Sequence, residues 1–338
     1  MTVVLRAVDE DEPGDRWRDF FEASRESYAR WFLAEGDHAR PSYRESSRAL
    51  KRHMPELRHV YEALVELAGA GDQAARLLTL YCPTPYLAGC SQAVWTRDTP
   101  FLVRNYDYSP NLWDALLLRS RWLGRPVIGM SDSLWGVLDG INDAGLVVSL
   151  AFGGRRDVGE GFAMPLILRY VLETCGTTAD ACAVLSRVPS HMAYTVTMLD
   201  GDASYATVFT GPGRESVVLK RRYATNHQGS IEWPRYAAAT ASEARERTLM
   251  NRLEDDDETA ARFVSRFLEP PLFSTRFDHG WGTLYTASYD SIARAAGYRW
   301  PTFHFTQSID RFHEMAVQIS YPTTSAAGLP VAAVGGGE

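Results

Sequence analysis

Cysteine is scarce: Cys82, Cys90, Cys175 and Cys182 are the only four in 338 residues. That is too few for a disulfide framework, and a reducing compartment is expected. No Cys-x-x-Cys pair and no His-x-x-x-His spacing occurs among the 4 cysteines and 8 histidines, so no metal site is expected. A Gly-rich phosphate cradle is also missing. Gly-Pro-Gly-Arg-Glu at 211–215 lies between two β-type runs and reads as a turn. The longest apolar runs, near 144–152 and 162–172, fall short of a bilayer span and carry Gly, Arg or Pro. The opening MTVVLRAVDEDEPGD has an early acidic cluster in place of a basic start and apolar run, so no secretory signal is expected. Net charge is −7 with both signs interspersed, which excludes a polybasic nucleic-acid binder. There is no internal repeat and no low-complexity block. These absences lead to the expectation of a soluble, cytoplasmic protein without a nucleic-acid, membrane or metal partner.

What is present suits a globular chain. Apolar residues make up 45% and charged residues 23%, and the length allows one large or two ordinary domains. Residues 15–82 have helical periodicity. Trp17, Phe20, Phe21, Tyr28 and Phe32 share one side, Gly36 is placed to end that helix, and two further helices follow around a Gly-containing break near 69–71. After Pro83 and Pro85 short β-type runs alternate with turn signals: AVWTRDTPFLVRNYDY, WGVLDGINDAGLVVSLAF, YTVTMLDGDASYATVF and TLYTASYDSIARAAGYRW. Asp-Gly, Asn-Asp-Ala-Gly and Gly-Pro-Gly are hairpin chemistry, so the strands are expected to be mostly antiparallel neighbours. Helices are expected at 163–174, at 178–187 and as a pair within 234–267. Strands in runs and helices in runs give an α+β domain rather than a doubly wound sheet. The expected organisation is a helical segment 1–89, an α+β domain 90–330 and a loose tail 331–338.

Chemistry concentrates at Cys90. It follows Gly89, which frees the backbone, and the connector YCPTPYLAG, whose two prolines suggest an exposed or strained link. It marks the change from helical to β-type sequence. The next β-run carries Arg104-Asn105-Tyr106-Asp107, polar groups that are costly on a core strand unless paired. The sulfur is expected to be exposed and activated by these neighbours.

Gly-Cys-Ser followed by a short strand, a turn and Arg-Asn-Tyr-Asp-Tyr resembles the N-terminal-nucleophile (Ntn) hydrolases, and among them the acyl-CoA:6-aminopenicillanate acyltransferase family. The choloylglycine and penicillin V hydrolases are its cousins. INDAGLVVSLAF, ATNHQ at 224–228 and GTLYTASYD at 282–290 continue the likeness in the same order. The resemblance implies a four-layer αββα sandwich and a cut at Gly89–Cys90. It further implies a small-molecule amide, amine or acyl-thioester substrate, with acyl-CoA among the donors. Cys90 would be the nucleophile, Asp107 and Arg104 its companions, and Asn226 the oxyanion donor. Asn105, Tyr106 and His227 would contact substrate, and the two halves would remain together as a heterodimer. The cousins carry an asparagine where this chain has Leu150-Ala151-Phe152, which leaves the second oxyanion donor unassigned. Two alternatives stay open at this point: an uncleaved acyltransferase using Cys90 as an internal thiol, and a non-catalytic binding protein on the same fold.

Overall fold

Two sheets face each other at the centre of the molecule. The structure, a computed structural model, describes residues 1–322; the expected tail 331–338 lies outside them. The larger sheet has nine strands, in the order Val217–Leu219, Tyr205–Thr210, Tyr194–Leu199, Val147–Phe152, Gly136–Asn142, Val127–Asp132, Leu116–Ser120, Thr2–Asp9 and Met315–Ser320. The smaller runs Tyr223–Ala224, Gly89–Trp95, Phe101–Tyr108, Trp281–Asp290, Ala295–Trp300 and Phe303–Ser308, with Thr275–Arg276 paired beside Trp281–Asp290. Neighbours are antiparallel throughout, apart from the parallel pair Thr2–Asp9 and Leu116–Ser120. Central strands such as Val127–Asp132 and Val147–Phe152 are buried at every position, and accordingly show no alternation of apolar and polar residues.

Helices cover both outer faces. Met164–Thr174, buried at ten of its eleven positions, lies on the large sheet. It approaches closely because Gly140 has no side chain: a Cβ there would stand 2.6 Å from the Ile128 carbonyl and 2.9 Å from Leu172. Ser242–Glu254 and Ala260–Arg266 cover the small sheet, enclosing Ala93, Trp95, Val103, Leu249, Leu253, Phe263, Phe267 and Leu272. Between the sheets, Gln92 joins the two layers. Its amide donates to the Thr195 carbonyl (3.2 Å) and accepts from the Ser149 hydroxyl (2.6 Å). The expected α+β sandwich of two largely antiparallel sheets between helical layers is what the chain forms.

Four readings change. Residues 1–89 are not helical throughout, because Thr2–Asp9 is a strand held between Leu116–Ser120 and Met315–Ser320. Its β-branched run TVVLRAVD carried that signal, next to a conspicuous acidic cluster. The helical part also divides further, into Asp15–Phe32, Tyr43–His53, Arg58–Leu67 and Asp72–Leu78. It is fastened to the body by two indole donors: Trp17 to the Leu134 carbonyl (3.0 Å) and Trp135 to the Leu78 carbonyl (2.9 Å). Finally, residues 234–267 form three helices instead of a pair, and Asp139-Gly140 lies inside a strand rather than at a hairpin turn. Among the described residues no helix is long and apolar enough to cross a membrane.

Candidate active site around Cys90

Register places the cluster. Cys90 pairs with Tyr106, Gln92 with Arg104, Ser91 with Asn105 and Gly89 with Asp107. Side chains alternate across a strand. Cys90, Gln92, Arg104 and Tyr106 therefore point toward the large sheet, and Ser91, Asn105 and Asp107 toward the helices.

On the inner face, the Arg104 guanidinium donates to Cys90 Sγ (3.1 Å) and to the Leu150 carbonyl (3.1 Å). It is fixed by a fully buried ion pair with Asp139, which also accepts from Tyr285 (2.5 Å) and Tyr289. Contrary to expectation, Cys90 is not exposed: its relative exposure is 0%. The connector explains this, since Pro83, Thr84 and Ala88 are themselves buried. Burial raises the Cys90 thiol to about 11, with Arg104 pulling it back and Asp107 adding to the rise. In the intact chain the sulfur is therefore a thiol at neutral pH.

On the outer face stands a residue the sequence did not reveal. Arg245, from helix Ser242–Glu254, donates to the Cys90 carbonyl (2.7 Å), Ser91 Oγ (2.9 Å), Asp107 Oδ2 (3.2 Å) and Asn226 Oδ1 (2.6 Å). Asp107 also accepts from Thr283 (2.7 Å). Burial raises the Asp107 carboxyl, while Arg245 and the Thr283 hydroxyl draw it down. Asn226 Oδ1 accepts the Cys90 backbone N–H (3.0 Å). Its Nδ2 donates to the carbonyls of Phe152 (3.1 Å) and Ala88 (3.4 Å). The Ala88 carbonyl takes a second, stronger bond from the Tyr236 hydroxyl at 2.6 Å. Two donors thus converge on one carbonyl oxygen beside Cys90.

Gly89 is needed for space. A Cβ at this position would stand 3.0 Å from Asp107 Cβ and 3.2 Å from its Oδ2. Gly89→Ala is expected to displace the Asp107 carboxylate from Arg245 and lower the melting temperature. Thermal unfolding of the variant beside wild type measures this.

The structure thus brings together Cys90, Arg104, Asp107, Asn226, Gly89 and Tyr106. Asn105 and His227 are engaged elsewhere. The Asn105 amide donates to the carbonyls of Phe267 (2.7 Å) and Leu272 (3.0 Å), tying down the helical layer. The His227 ring lies between the Ser242 hydroxyl (2.8 Å) and Glu246 (3.0 Å). Arg245 was hidden in ASEARERTL, where it looks like any solvated helix charge. Tyr236 was one aromatic among many, and Asp139 was masked by the turn-like Asp-Gly.

A second polar group adjoins the connector. Asp114 accepts from the Tyr28 hydroxyl (2.7 Å), and Asp132 accepts from Tyr86 (3.1 Å) and Ser133 (3.0 Å). Burial and the neighbouring Asp132 charge push Asp114 up to about 8, and burial raises Asp132 to about 6. Carboxyls raised in the folded state add stability that is full below the ordinary carboxylate range and is lost as pH rises through the raised values. Asp114→Asn is expected to melt nearer to wild type at pH 5 and above it at pH 9. Melting curves across that range test the sign.

Among known proteins, the likeness is as follows. The family model described as acyl-coenzyme A:6-aminopenicillanic acid acyl-transferase matches residues 94–304, which include Arg104, Asp107, Asn226 and Arg245 and begin four positions after Cys90. No curated protein matches the chain. Among solved structures, penicillin V acylase from Agrobacterium tumefaciens aligns at 14% identity, covering 65% of this chain and 86% of that one, with a TM-score of 0.45. A mutant of conjugated bile acid hydrolase from Clostridium perfringens aligns at 11% identity, 71% and 99% coverage and a TM-score of 0.45. The Caenorhabditis elegans N-acylethanolamine-hydrolyzing acid amidase ortholog aligns at 14% identity, 68% and 100% coverage and a TM-score of 0.46. With well over half its length matched by that one model, the chain belongs to the acyl-coenzyme A:6-aminopenicillanic acid acyl-transferase family.

Proposed function

We propose that this protein is a self-cleaving cysteine acyltransferase or amidohydrolase in which Cys90 becomes N-terminal and carries the acyl group. One observation carries the reading. The Cys90 nitrogen is already held by Asn226 Oδ1, and its sulfur by Arg104, at a glycine–cysteine bond that opens strand Gly89–Trp95.

Cleavage begins with Cys90 Sγ attacking the Gly89 carbonyl. The C–N bond breaks, the nitrogen takes up the thiol proton, and Gly89 is left as a thioester that water hydrolyses. The freed α-amine has an ordinary pKa near 7.7–8.0, far better matched to neutral pH than a buried thiol. It then serves as base to its own sulfur. Asp107 is placed to hold the resulting ammonium, since it lies against Gly89 and that residue leaves with the upstream chain.

In turnover, Cys90 Sγ gives its proton to the α-amine and attacks the substrate's amide or thioester carbonyl. The oxyanion sits where the Ala88 carbonyl oxygen is now, between Asn226 Nδ2 and the Tyr236 hydroxyl. Burial keeps Tyr236 protonated, so its hydroxyl retains the proton it donates. Collapse expels the leaving amine or thiol, which takes the proton from the α-ammonium. An incoming amine or water, deprotonated by the α-amine, attacks the thioester and restores Sγ–H. No metal or organic cofactor takes part; acyl-CoA would enter as substrate. The upstream segment, with Thr2–Asp9 inside the large sheet, would stay bound as the second half of a heterodimer.

Incubation with p-nitrophenyl acetate followed by peptide mapping tests the nucleophile. The acetyl group is expected on Cys90, with none in Cys90→Ala. Acetylation elsewhere, or equal turnover by Cys90→Ala, would overturn the assignment.

A further inference from the structure

The connector puts one large side chain against Asp132. Tyr86, four residues before Cys90, donates to Asp132 and packs between Trp31 (centroids 6.2 Å apart) and Tyr108 (6.0 Å). It is half-buried, so the space it fills opens toward the surface. Among the described residues, neither Asp132 nor its neighbour Asp114 forms an ion pair, and Arg104 is committed to Asp139. Asp132 is only 5% exposed, and Arg104, the cation that acts on it, is bonded to Asp139; a carboxylate so placed without an ion-pair partner of its own is costly.

A second observation points the same way. The Tyr106 hydroxyl, on a residue 0% exposed and paired directly across from Cys90, has no hydrogen-bond partner. Asp132 is the charge acting most strongly on it, with Cys90 also in range. An unsatisfied hydroxyl and an unpaired carboxylate therefore lie along one path that begins at the sulfur. Aromatic faces around a carboxylate are the surroundings that bind organic cations, through charge pairing and cation–π attraction.

We propose that the space held by Tyr86 is a subsite for an ammonium-bearing part of the substrate, with Asp132 as counter-charge, Tyr106 as polar contact, and Trp31 and Tyr108 as walls. The proposal rests on the cleavage reading, because in the intact chain Tyr86 occupies the place.

Tetramethylammonium is the probe, with tert-butanol as its neutral match in shape, and binding is followed by calorimetry. One background is the wild-type protein as purified. The other is Cys90→Ala/Tyr86→Ala, which cannot be cut yet vacates the same space. Both are expected to bind tetramethylammonium at least tenfold more tightly than tert-butanol. Adding Asp132→Asn should remove that preference, and Cys90→Ala alone, with Tyr86 in place, should bind neither. Equal affinity for the two probes in the double variant, or a preference that survives Asp132→Asn, overturns the subsite. Wild type found as a single uncut chain would contradict the cleavage reading instead, and the double variant would still decide the subsite.

Discussion

Arg245→Met is expected to destabilise the protein by about 3–5 kcal/mol, the usual cost of removing one partner from a buried ion pair. Arg245 and Asp107 are 2% and 5% exposed at their side chains, so the guanidinium is the carboxylate's main compensation for lost hydration. Burial already raises the Asp107 carboxyl, and without Arg245 it rises further. The sign follows. A carboxyl whose folded value is raised contributes stability at low pH that disappears as pH climbs. The deficit of Arg245→Met should therefore be smaller at pH 5 than at pH 8. Adding Asp107→Asn, which removes the stranded charge, should recover part of the loss, giving a coupling of the two substitutions well above additivity error. Denaturant unfolding of the four proteins at both pH values measures it. Additive losses would mean that the two residues do not act as a pair. Arg245 reaches the reacting centre through the Cys90 carbonyl, Asp107 Oδ2 and Asn226 Oδ1, so it is a positioning residue. Arg245→Lys, which retains charge but not the four-way fork, should regain stability more fully than activity.

Tyr236→Phe and Asn226→Ala are each expected to lower kcat by about 10²–10³-fold, the range for losing one preorganised oxyanion donor. The two side chains meet at the Ala88 carbonyl, 2.6 Å from the Tyr236 hydroxyl and 3.4 Å from Asn226 Nδ2. In the proposed site the tyrosine would supply the second donor that the sequence left unassigned at Leu150-Ala151-Phe152. Tyr236→Phe removes one oxygen and leaves the ring against Phe152 and Trp233, with centroids 5.1 and 5.3 Å away, so packing is unaltered. KM should change little, because the bond is strongest when charge has developed on the oxygen. Asn226→Ala also releases the Cys90 nitrogen and one Arg245 contact, so it should lose stability as well. A kcat for Tyr236→Phe within threefold of wild type would remove the residue from the oxyanion site.

Much of this arrangement could be read before the fold was known, and the reason is local. Cys90, Arg104 and Asp107 lie on two consecutive strands joined by a short turn, so their spacing in sequence is nearly their spacing in the sheet. Polar residues on an apolar strand are conspicuous because they need a reason to be there. Asn226 stood out through its Thr-Asn-His setting. Arg245 and Tyr236 arrive on helices from more than 140 residues downstream, where nothing local separates a buried arginine from the neighbouring Arg247 or Arg252. The strand alternation that sends Asn105 toward Phe267 and Leu272 was legible in principle, since it shares the parity of Asp107 and not of Arg104. The closure of the site over Cys90 was not. It depends on the path of residues 83–88, which two prolines and a left-handed Cys82 (φ 46°) direct back across the sheet.

The central claim is that the bond before Cys90 breaks by the action of Cys90 itself. The most direct test is the intact mass of freshly purified protein under denaturing conditions, for wild type and Cys90→Ala side by side. Wild type should resolve into two species, residues 1–89 and 90–338, and Cys90→Ala into one. A wild-type protein that stays whole while transferring acyl groups, or a Cys90→Ala protein cut at the same bond, would contradict it.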